Sequence, residues 1–221
     1  MSDLELYSAI ACPFAHRSQL TLVEKQISFT LIELDLQNKP ANFSEISPFG
    51  KIPVLKHGHH RIWESSIINE YLEEVFPSPS LLPQNAIHRA QARIWIQFAD
   101  ARLFEPTHQL LLTQDLQQRA KLVNQLTESL QWIEQTGLAQ LSAAEPYWLG
   151  ASLSLVDLAY YPWFEQIVVL KHFRGFQLPR GLDRLKRWWK TMANRQSVQS
   201  VAKPPDFHLE HYGRLQQLQP H

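Results

Sequence analysis

The chain has 221 residues, enough to bury a sizeable core as one large domain or two small ones. Lysine plus arginine and aspartate plus glutamate number 21 each, so the zero net charge gives no support to a nucleic-acid partner. The N-terminus lacks the pattern of a signal peptide, and no uncharged apolar run approaches the roughly 18 residues of a membrane span. We therefore expect a cytoplasmic protein with no membrane partner, and the single cysteine agrees with a reducing compartment.

The N-terminal stretch predicts a strand, a tight turn and a helix that begins directly after the only cysteine. Residues 4–10 form the apolar strand, Ala11 turns the chain, and the helix runs from Pro13 to about Ile27. Proline suits the first helical position because its φ matches the helix and its missing N–H would have no partner there. Cys12 is then the N-cap, where orphan N–H groups and the helix dipole favour a thiolate.

Cys12 has two interpretations. A lone cysteine beside an apolar segment is commonly a small buried hydrophobe. The narrower context of strand, turn, Cys-Pro and helix favours a reactive thiol instead. Because the sequence has no second cysteine, an oxidised Cys12 must be resolved by an external thiol.

The following elements complete an α/β unit by residue 76. A strand at 28–36, a polar stretch at 37–47 with room for a short helix, and a strand at 51–55 come next. The strand at 4–10, the helix after Cys12 and the strand at 28–36 form a strand-helix-strand unit, which predicts a parallel pair joined by a right-handed crossover. Pro53 cannot donate to a ladder, so it indicates an edge, a bulge or a cis bond.

A polar turn at 57–60 carries three histidines, which suggests either a metal site or a solvated hairpin turn. No cysteine or carboxylate lies at ligand spacing, so the solvated turn is the better interpretation. Strand 61–63 follows, and Glu64 and Ser65 then open a helix that ends at Phe76 and Pro77. Its apolar side comprises Ile67, Ile68, Tyr71, Leu72 and Val75.

The rest of the chain predicts an all-helical domain after a linker. Residues 77–85 have the proline and serine content of a linker, and apolar periodicity then marks helices near 90–103, 116–133 and 182–192. Ser154 and Asp157 stand three residues apart before an apolar run. This spacing predicts a structural capping box with aspartate in place of glutamate.

Three motifs in the order β-α-β-α-β-β-α resemble the cytosolic glutathione transferases. They are Cys-Pro-Phe-Ala at 12–15, Ser-Pro-Phe-Gly-Lys-Ile-Pro-Val-Leu at 47–55, and Glu-Ser before an Ile-Ile-x-x-Tyr-Leu helix at 64–72. The first motif is similar to the omega, lambda and dehydroascorbate-reductase branches, which carry cysteine at this position. The resemblance implies an α/β thioredoxin-like domain over 1–76, a linker over 77–85 and an all-α domain over 86–221.

The resemblance also implies a glutathione site. Cys12 would form a mixed disulfide with the glutathione sulfur. A cis Pro53 would turn the backbone of Ile52 toward the cysteinyl part of glutathione, which would pair with it like an added strand. Glu64 would take the γ-glutamyl ammonium, while Ser65 and the helix N-terminus would take its carboxylate.

Four further residues are candidates for the site, and three of them have a plainer alternative. Lys39 would reach the glycyl carboxylate, or is one exposed charge among many. Phe14 would line the site beside the thiol. Trp95 and Trp163 would line an acceptor pocket between the domains, although core packing is the commoner role for a tryptophan. In the same way, Glu64 and its neighbour could be an ordinary capping pair.

A cysteine at the active position changes the expected reaction. Serine or tyrosine only stabilises the glutathione thiolate, whereas a cysteine thiolate attacks a disulfide itself. We therefore expect reduction of mixed disulfides or dehydroascorbate to exceed conjugation of electrophiles. Glutathione is the expected co-substrate, with no metal, a small hydrophobic or oxidised acceptor, and a homodimer as in the family. A conventional conjugating enzyme and a non-catalytic binding protein remain the alternatives.

Overall fold

The structure is a computed structural model that describes residues 3–35, 38–142 and 145–217, the last three without their side chains. Leu36, the end of the predicted second strand, and Gln37 lie outside the described residues. The chain forms two compact units, Met1–Leu82 and Pro83–His221. The division falls inside the segment 77–85 that the sequence predicts as a linker.

The first unit has the predicted order of strands and helices. In the described residues, one sheet forms in the strand order β2-β1-β3-β4, with β1 parallel to β2 and antiparallel to β3. The parallel pair is the one that the strand-helix-strand order predicts. The elements are β1 Leu4–Ala9, α1 Pro13–Glu24, β2 Thr30–Leu34, α2 Phe43–Ile46, β3 Val54–His57, β4 His60–Trp63 and α3 Ser65–Val75.

Strand direction brings the predicted motifs to one end of the sheet. β1 ends just before Cys12, and β3 begins at this same end because Val54 pairs with Tyr7. β4 is antiparallel to β3, so it ends here as well, and α3 begins directly after it. The starts of α1, β3 and α3 therefore lie at one end, and both helices end at the other.

Several boundaries and faces differ from the predicted ones. α1 ends at Glu24 rather than near Ile27, although Ile27 still packs against the core formed by α1, α3 and the sheet. β3 begins at Val54, directly after Pro53, which has no N–H for the ladder. On α3, Ile68 and Leu72 are fully buried, but Ile67 is 56% exposed, so the apolar side is narrower than predicted.

The second unit is all-helical in the described residues. The predicted helix at 90–103 is part of a longer run, because the π-helical turn Asp100–Phe104 joins α4 to α5. A second π-helical turn, Ile133–Leu138, follows α6. The helices are α4 Ala86–Ala99, α5 Glu105–Leu112, α6 Leu116–Trp132, α7 Ala139–Leu141, α8 Leu155–Glu165, α9 Ile167–Arg174, α10 Asp183–Ala193, α11 Gln196–Val201 and α12 Pro205–Gln217.

The predicted capping pair lies at the centre of the second unit. The Ser154 backbone N–H and hydroxyl each donate to Asp157 Oδ2 at 2.8 Å, at the start of α8. The backbone N–H of Trp148 and the Nε1 of Trp188 donate to the other carboxylate oxygen at 2.8 and 2.7 Å. Asp157 therefore ties the start of α8 to two aromatic core residues.

Candidate functional site

Cys12 is the N-cap residue of α1, and Pro13 is the first helical residue. The Cys12 carbonyl accepts the first helical hydrogen bond from His16, and its N–H donates to Ala9 at the end of β1, both at 3.0 Å. The half-buried thiol donates to the backbone carbonyl of Ile52, with Sγ and oxygen 3.8 Å apart. This bond joins the start of α1 to the segment that precedes β3.

Burial raises the pKa of the Cys12 thiol above its ordinary value. The backbone N–H groups of Ala15 and Phe14 and the charge of Arg17 lower it, but by less. The N–H groups at the start of α1 and the helix dipole, taken alone, predict a stabilised thiolate. The net direction is the opposite, because Ile52 and Phe43 pack around the thiol from distant parts of the chain.

The residue before Cys12 and the residue before α3 share an unusual backbone conformation. Ala11 has φ 60°, and Glu64 has φ 66° with ψ 114°, although neither is glycine. Such conformations cost of order 1–3 kcal/mol and cluster at functional sites. Both occur at the end of the sheet where Cys12 lies, and a third residue with positive φ, Gln26 at 54°, follows α1 at the other end.

Glu64 and Ser65 do not form the ordinary capping pair that was the plainer alternative. Glu64 is the N-cap of α3, but its exposed side chain makes no capping hydrogen bond among the described residues. Ser65 is the first helical residue and is 5% exposed. The Glu64 carboxylate therefore faces solvent beside the positive end of α3, where a ligand could reach it.

Arg17 is a site residue that the sequence analysis missed. Its side chain is fully buried, and its Nη1 lies 3.5 Å from Ser65 Oγ. The guanidinium also lies over the Phe14 ring, 4.9 Å from the centroid. The available signal was its place three residues before Leu20, on the face of α1 that the periodicity assigns to the core. A buried cation therefore lies beside α3 at this end of the unit.

Lys39 and the Ile52–Pro53 peptide complete the predicted set in the first unit. The peptide between Ile52 and Pro53 is cis. Ile52 packs in one cluster with Phe43, Ala15 and Cys12. The Lys39 Nζ lies over the Phe43 ring, 5.1 Å from its centroid. The structure thus brings Lys39 to a ring that packs in the cluster around the thiol, and its role toward glutathione stays a prediction.

Trp95 and Trp163 are both buried in the core of the helical unit. Trp95 is 7% exposed and its ring packs against Trp148, with centroids 5.7 Å apart. Trp163 is 3% exposed and its Nε1 donates to Thr107 Oγ1 at 2.8 Å. These contacts give both side chains a packing role, and the acceptor pocket stays a prediction.

The histidine turn is only partly solvated. His59 and His60 are exposed, but His57 is half-buried at the end of β3. Its Nδ1 lies 2.7 Å from the Tyr71 hydroxyl, and its ring stacks on Phe76 with centroids 6.3 Å apart. His57 therefore belongs to the packing between β3 and α3.

Neither a metal-binding cluster nor a membrane-spanning helix occurs in the described ranges. No group of three or more histidine, cysteine, aspartate or glutamate side chains there could hold a metal ion. No helix within 3–35, 38–142 or 145–217 is both long enough and apolar enough to cross a bilayer.

The geometry favours an anionic ligand at the end of the sheet where Cys12 lies. The N-termini of α1 and α3 both begin there, and the positive ends of two helix dipoles stabilise thiolates and carboxylates. Arg17 adds a buried positive charge. A thiol at the N-cap and an exposed carboxylate at Glu64 supply a nucleophile and a partner for an ammonium group.

Comparison with known proteins identifies the family. Residues 11–75 match the model of the glutathione S-transferase N-terminal domain, and residues 116–190 match that of the C-terminal domain. The omega-1 glutathione S-transferase of Rattus norvegicus is 30% identical over 86% of this chain and 76% of its own.

Solved structures of several classes share the fold. The Tau-class glutathione S-transferase of Mangifera indica matches with a TM-score of 0.89, at 28% identity over 96% of this chain and 98% of its own. A rice glutathione transferase in complex with glutathione has a TM-score of 0.87, at 27% identity over 99% of this chain and 98% of its own. The dehydroascorbate reductase of Chlamydomonas reinhardtii has a TM-score of 0.74, at 26% identity over 96% of this chain and 97% of its own. The chain therefore belongs to the glutathione S-transferase family.

Proposed function

We propose that this protein is a glutathione-dependent thiol transferase and reductase whose nucleophile is Cys12. The observation that carries the proposal is the place of the thiol at the N-cap of α1, within 3.8 Å of the Ile52 carbonyl. A serine or tyrosine hydroxyl could only stabilise the thiolate of glutathione, whereas a cysteine can form and break S–S bonds. The similarity to a dehydroascorbate reductase supports this chemistry.

We further propose that glutathione binds along the end of the sheet where α1, β3 and α3 begin. The exposed carboxylate of Glu64 takes the γ-glutamyl ammonium, and Ser65 with the α3 N-terminus takes the carboxylate. The N–H and C=O groups of Ile52 pair with the cysteinyl residue, whose sulfur then faces Cys12. Lys39 takes the glycyl carboxylate, and Phe14 lies beside the thiol.

The proposed cycle has two thiol–disulfide exchanges. The Cys12 thiolate attacks the glutathione sulfur of a mixed disulfide, a bond between these two sulfurs forms, and the acceptor leaves as a thiolate that takes a proton. The thiolate of a second glutathione then attacks this protein–glutathione disulfide, which releases oxidised glutathione and restores Cys12. The net reaction of the two exchanges converts one mixed disulfide and one glutathione into one acceptor thiol and one oxidised glutathione.

Steady-state kinetics with two oxidised substrates test the proposal. The mixed disulfide of glutathione and 2-mercaptoethanol is compared with dehydroascorbate, for the wild type and for Cys12→Ser. We expect activity with at least one substrate and a loss of at least about a hundredfold in the variant, since serine cannot form the disulfide. An inactive wild type that still binds glutathione would refute the reductase function.

Conjugation of electrophiles is the second candidate, and the Tau-class structure with a TM-score of 0.89 favours it. In that case Cys12 is incidental, and glutathione itself is the nucleophile. Aryl-halide conjugation that survives Cys12→Ser and exceeds disulfide reduction in the wild type would support this candidate. A protein that does not bind glutathione at all would instead be a non-catalytic member of the fold.

We also propose that the protein is a cytoplasmic homodimer. Among the large apolar side chains that the described part of the first unit exposes, Phe49 is 70%, Ile67 56% and Trp63 38% exposed. The Phe49 and Trp63 rings contact each other edge to face with centroids 6.0 Å apart, so these exposed side chains include a packed pair. Exposed apolar patches of this kind mark protein interfaces. A reducing compartment is where glutathione and a free Cys12 thiol would both stay reduced.

A further inference from the structure

The α/β unit contains a cavity of about 400 Å³, which we call the basal cavity, at the end of the sheet opposite to Cys12. Leu4 and His57, which pair across β1 and β3, lie on its wall. Lys25 and Phe76, the C-cap residues of α1 and α3, also line it. Cys12 follows the other end of β1, roughly 17 Å along the strand. The basal cavity is therefore separate from the proposed glutathione site, and its volume suits a small molecule.

The electrostatics of the basal cavity favour a cation. Two helices end at its wall, and the C-terminal end of a helix carries the negative pole of its dipole. The exposed Asp3 carboxylate also lines the cavity, and no hydrogen bond or ion pair reaches that carboxylate from any other described residue. This end of the unit thus has the charge preference opposite to that of the Cys12 end.

Lys25 lines the cavity but does not offset this preference. Its buried ammonium lies 2.6 Å from the Glu73 carboxylate. It also donates to the backbone carbonyls of Phe76 and Pro79 at 2.7 and 2.8 Å. These three contacts use the three donors of the ammonium. The charge of Lys25 is therefore neutralised by Glu73, and its ammonium has no donor left for a ligand.

An apolar surface lies next to the carboxylate. Phe76 and Ile27 are half-buried, and both line the cavity. The His57 ring stacks on Phe76 with an angle of 27° between the planes, and its Nδ1 is bonded to the Tyr71 hydroxyl. That bond fixes the ring and leaves Nε2 without a partner among the residues that the structure describes. The wall thus combines a flat aromatic surface with one more hydrogen-bonding nitrogen.

We propose that the basal cavity binds small organic amines that carry an aromatic or aliphatic body. The ammonium group pairs with the Asp3 carboxylate near the C-terminal ends of α1 and α3. The body packs against Phe76, His57 and Ile27. This inference does not depend on the proposed function, because no residue of the basal cavity belongs to the glutathione site.

Calorimetric titration of the full chain with 2-phenylethylamine tests the proposal. We expect saturable one-to-one binding, weakened about tenfold by Asp3→Asn, because a hydrogen-bonded charge is replaced by a neutral amide. Glu33→Gln, which removes an exposed acid on β2 outside the cavity, is the matched control and should bind as the wild type does. The neutral analogue 2-phenylethanol should bind more weakly than the amine.

A second variant tests the location without changing charge. Ser28 lines the basal cavity and is exposed, so Ser28→Trp fills the space while leaving the core untouched. We expect it to abolish amine binding, whereas Cys12→Ser should bind as the wild type does. The absence of saturable binding to the wild type, equal affinity for Asp3→Asn, or equal affinity for the alcohol would each overturn the proposal.

Discussion

Replacing Gly137 by alanine is expected to destabilise the helical unit, although alanine is the better helix former. A Cβ at this position would lie 2.8 Å from Cη2 of Trp95 and 3.0 Å from its Cζ2, closer than carbon atoms pack. The Trp95 ring cannot easily retreat, because it is 7% exposed and packs against Phe98 and Trp148. The added methyl group must therefore displace a rigid ring or the backbone of the π-helical turn.

The expected magnitude follows from two opposing effects. Overpacking a buried site costs about 1–3 kcal/mol, while glycine to alanine within a helix gains about 1 kcal/mol. Three Trp95 ring atoms lie within 3.2 Å of the added carbon, so the cost belongs to the upper part of that range. We expect Gly137→Ala to lower the free energy of unfolding by about 1–2 kcal/mol.

Urea unfolding followed by tryptophan fluorescence measures this change as a lower midpoint at constant slope. Gly213→Ala is the matched control, since Gly213 lies within α12 and a Cβ there would lie an ordinary 3.9 Å from Phe173. We expect that control to raise the free energy of unfolding by up to about 1 kcal/mol. If Gly137→Ala stabilised the protein as much as the control does, the packing argument would be refuted.

Three further predictions concern the first unit. Lys25→Met should cost about 3–5 kcal/mol in urea unfolding because it leaves the half-buried Glu73 carboxylate without its cation. Lys56→Met, at the more exposed pair with Glu5, should cost much less, and equal costs would contradict the stabilising role of the Lys25–Glu73 pair. The rate at which iodoacetamide alkylates Cys12 should rise with pH, with a midpoint above the value of about 8.5 for an exposed cysteine. The reason is that burial raises the thiol pKa, so the reactive thiolate forms only at higher pH. A midpoint below that value would contradict the raised pKa. Phe49→Ser should shift the protein toward monomer, measured by light scattering after size-exclusion chromatography. The control Leu116→Ser, at an exposed side chain of the second unit, should not change the oligomeric state. A monomeric wild type would rule out the dimer.

Local sequence rules predicted the elements that position the site. Pro13 and the apolar spacing after it are enough to place the start of α1, and therefore Cys12 at its N-cap, because capping depends on neighbouring residues only. The helix at Ser65 and the capping pair Ser154 and Asp157 follow from the same kind of rule. The order of strands and helices then fixes which ends of the elements meet.

Features of the candidate site that depend on contacts between distant residues were not predictable from the local sequence pattern. The spacing on α1 places Arg17 on the core face, but its burial beside Ser65 depends on α3 packing over it. The predicted direction of the Cys12 pKa shift was wrong. Burial by Ile52 and Phe43, some 30 to 40 residues away, raises the pKa by more than the local N–H groups lower it. The stacking of His57 on Phe76 likewise requires β3 and α3 to be in place.

Mass spectrometry of the protein during turnover tests the central claim most directly. The wild type is mixed with the glutathione–2-mercaptoethanol disulfide, quenched with acid at short times, and digested to locate any covalent glutathione. We predict one glutathione per chain on Cys12, formed at least as fast as turnover and removed by free glutathione, with none on Cys12→Ser. Turnover without this adduct, or undiminished turnover by Cys12→Ser, would contradict the proposed role of Cys12.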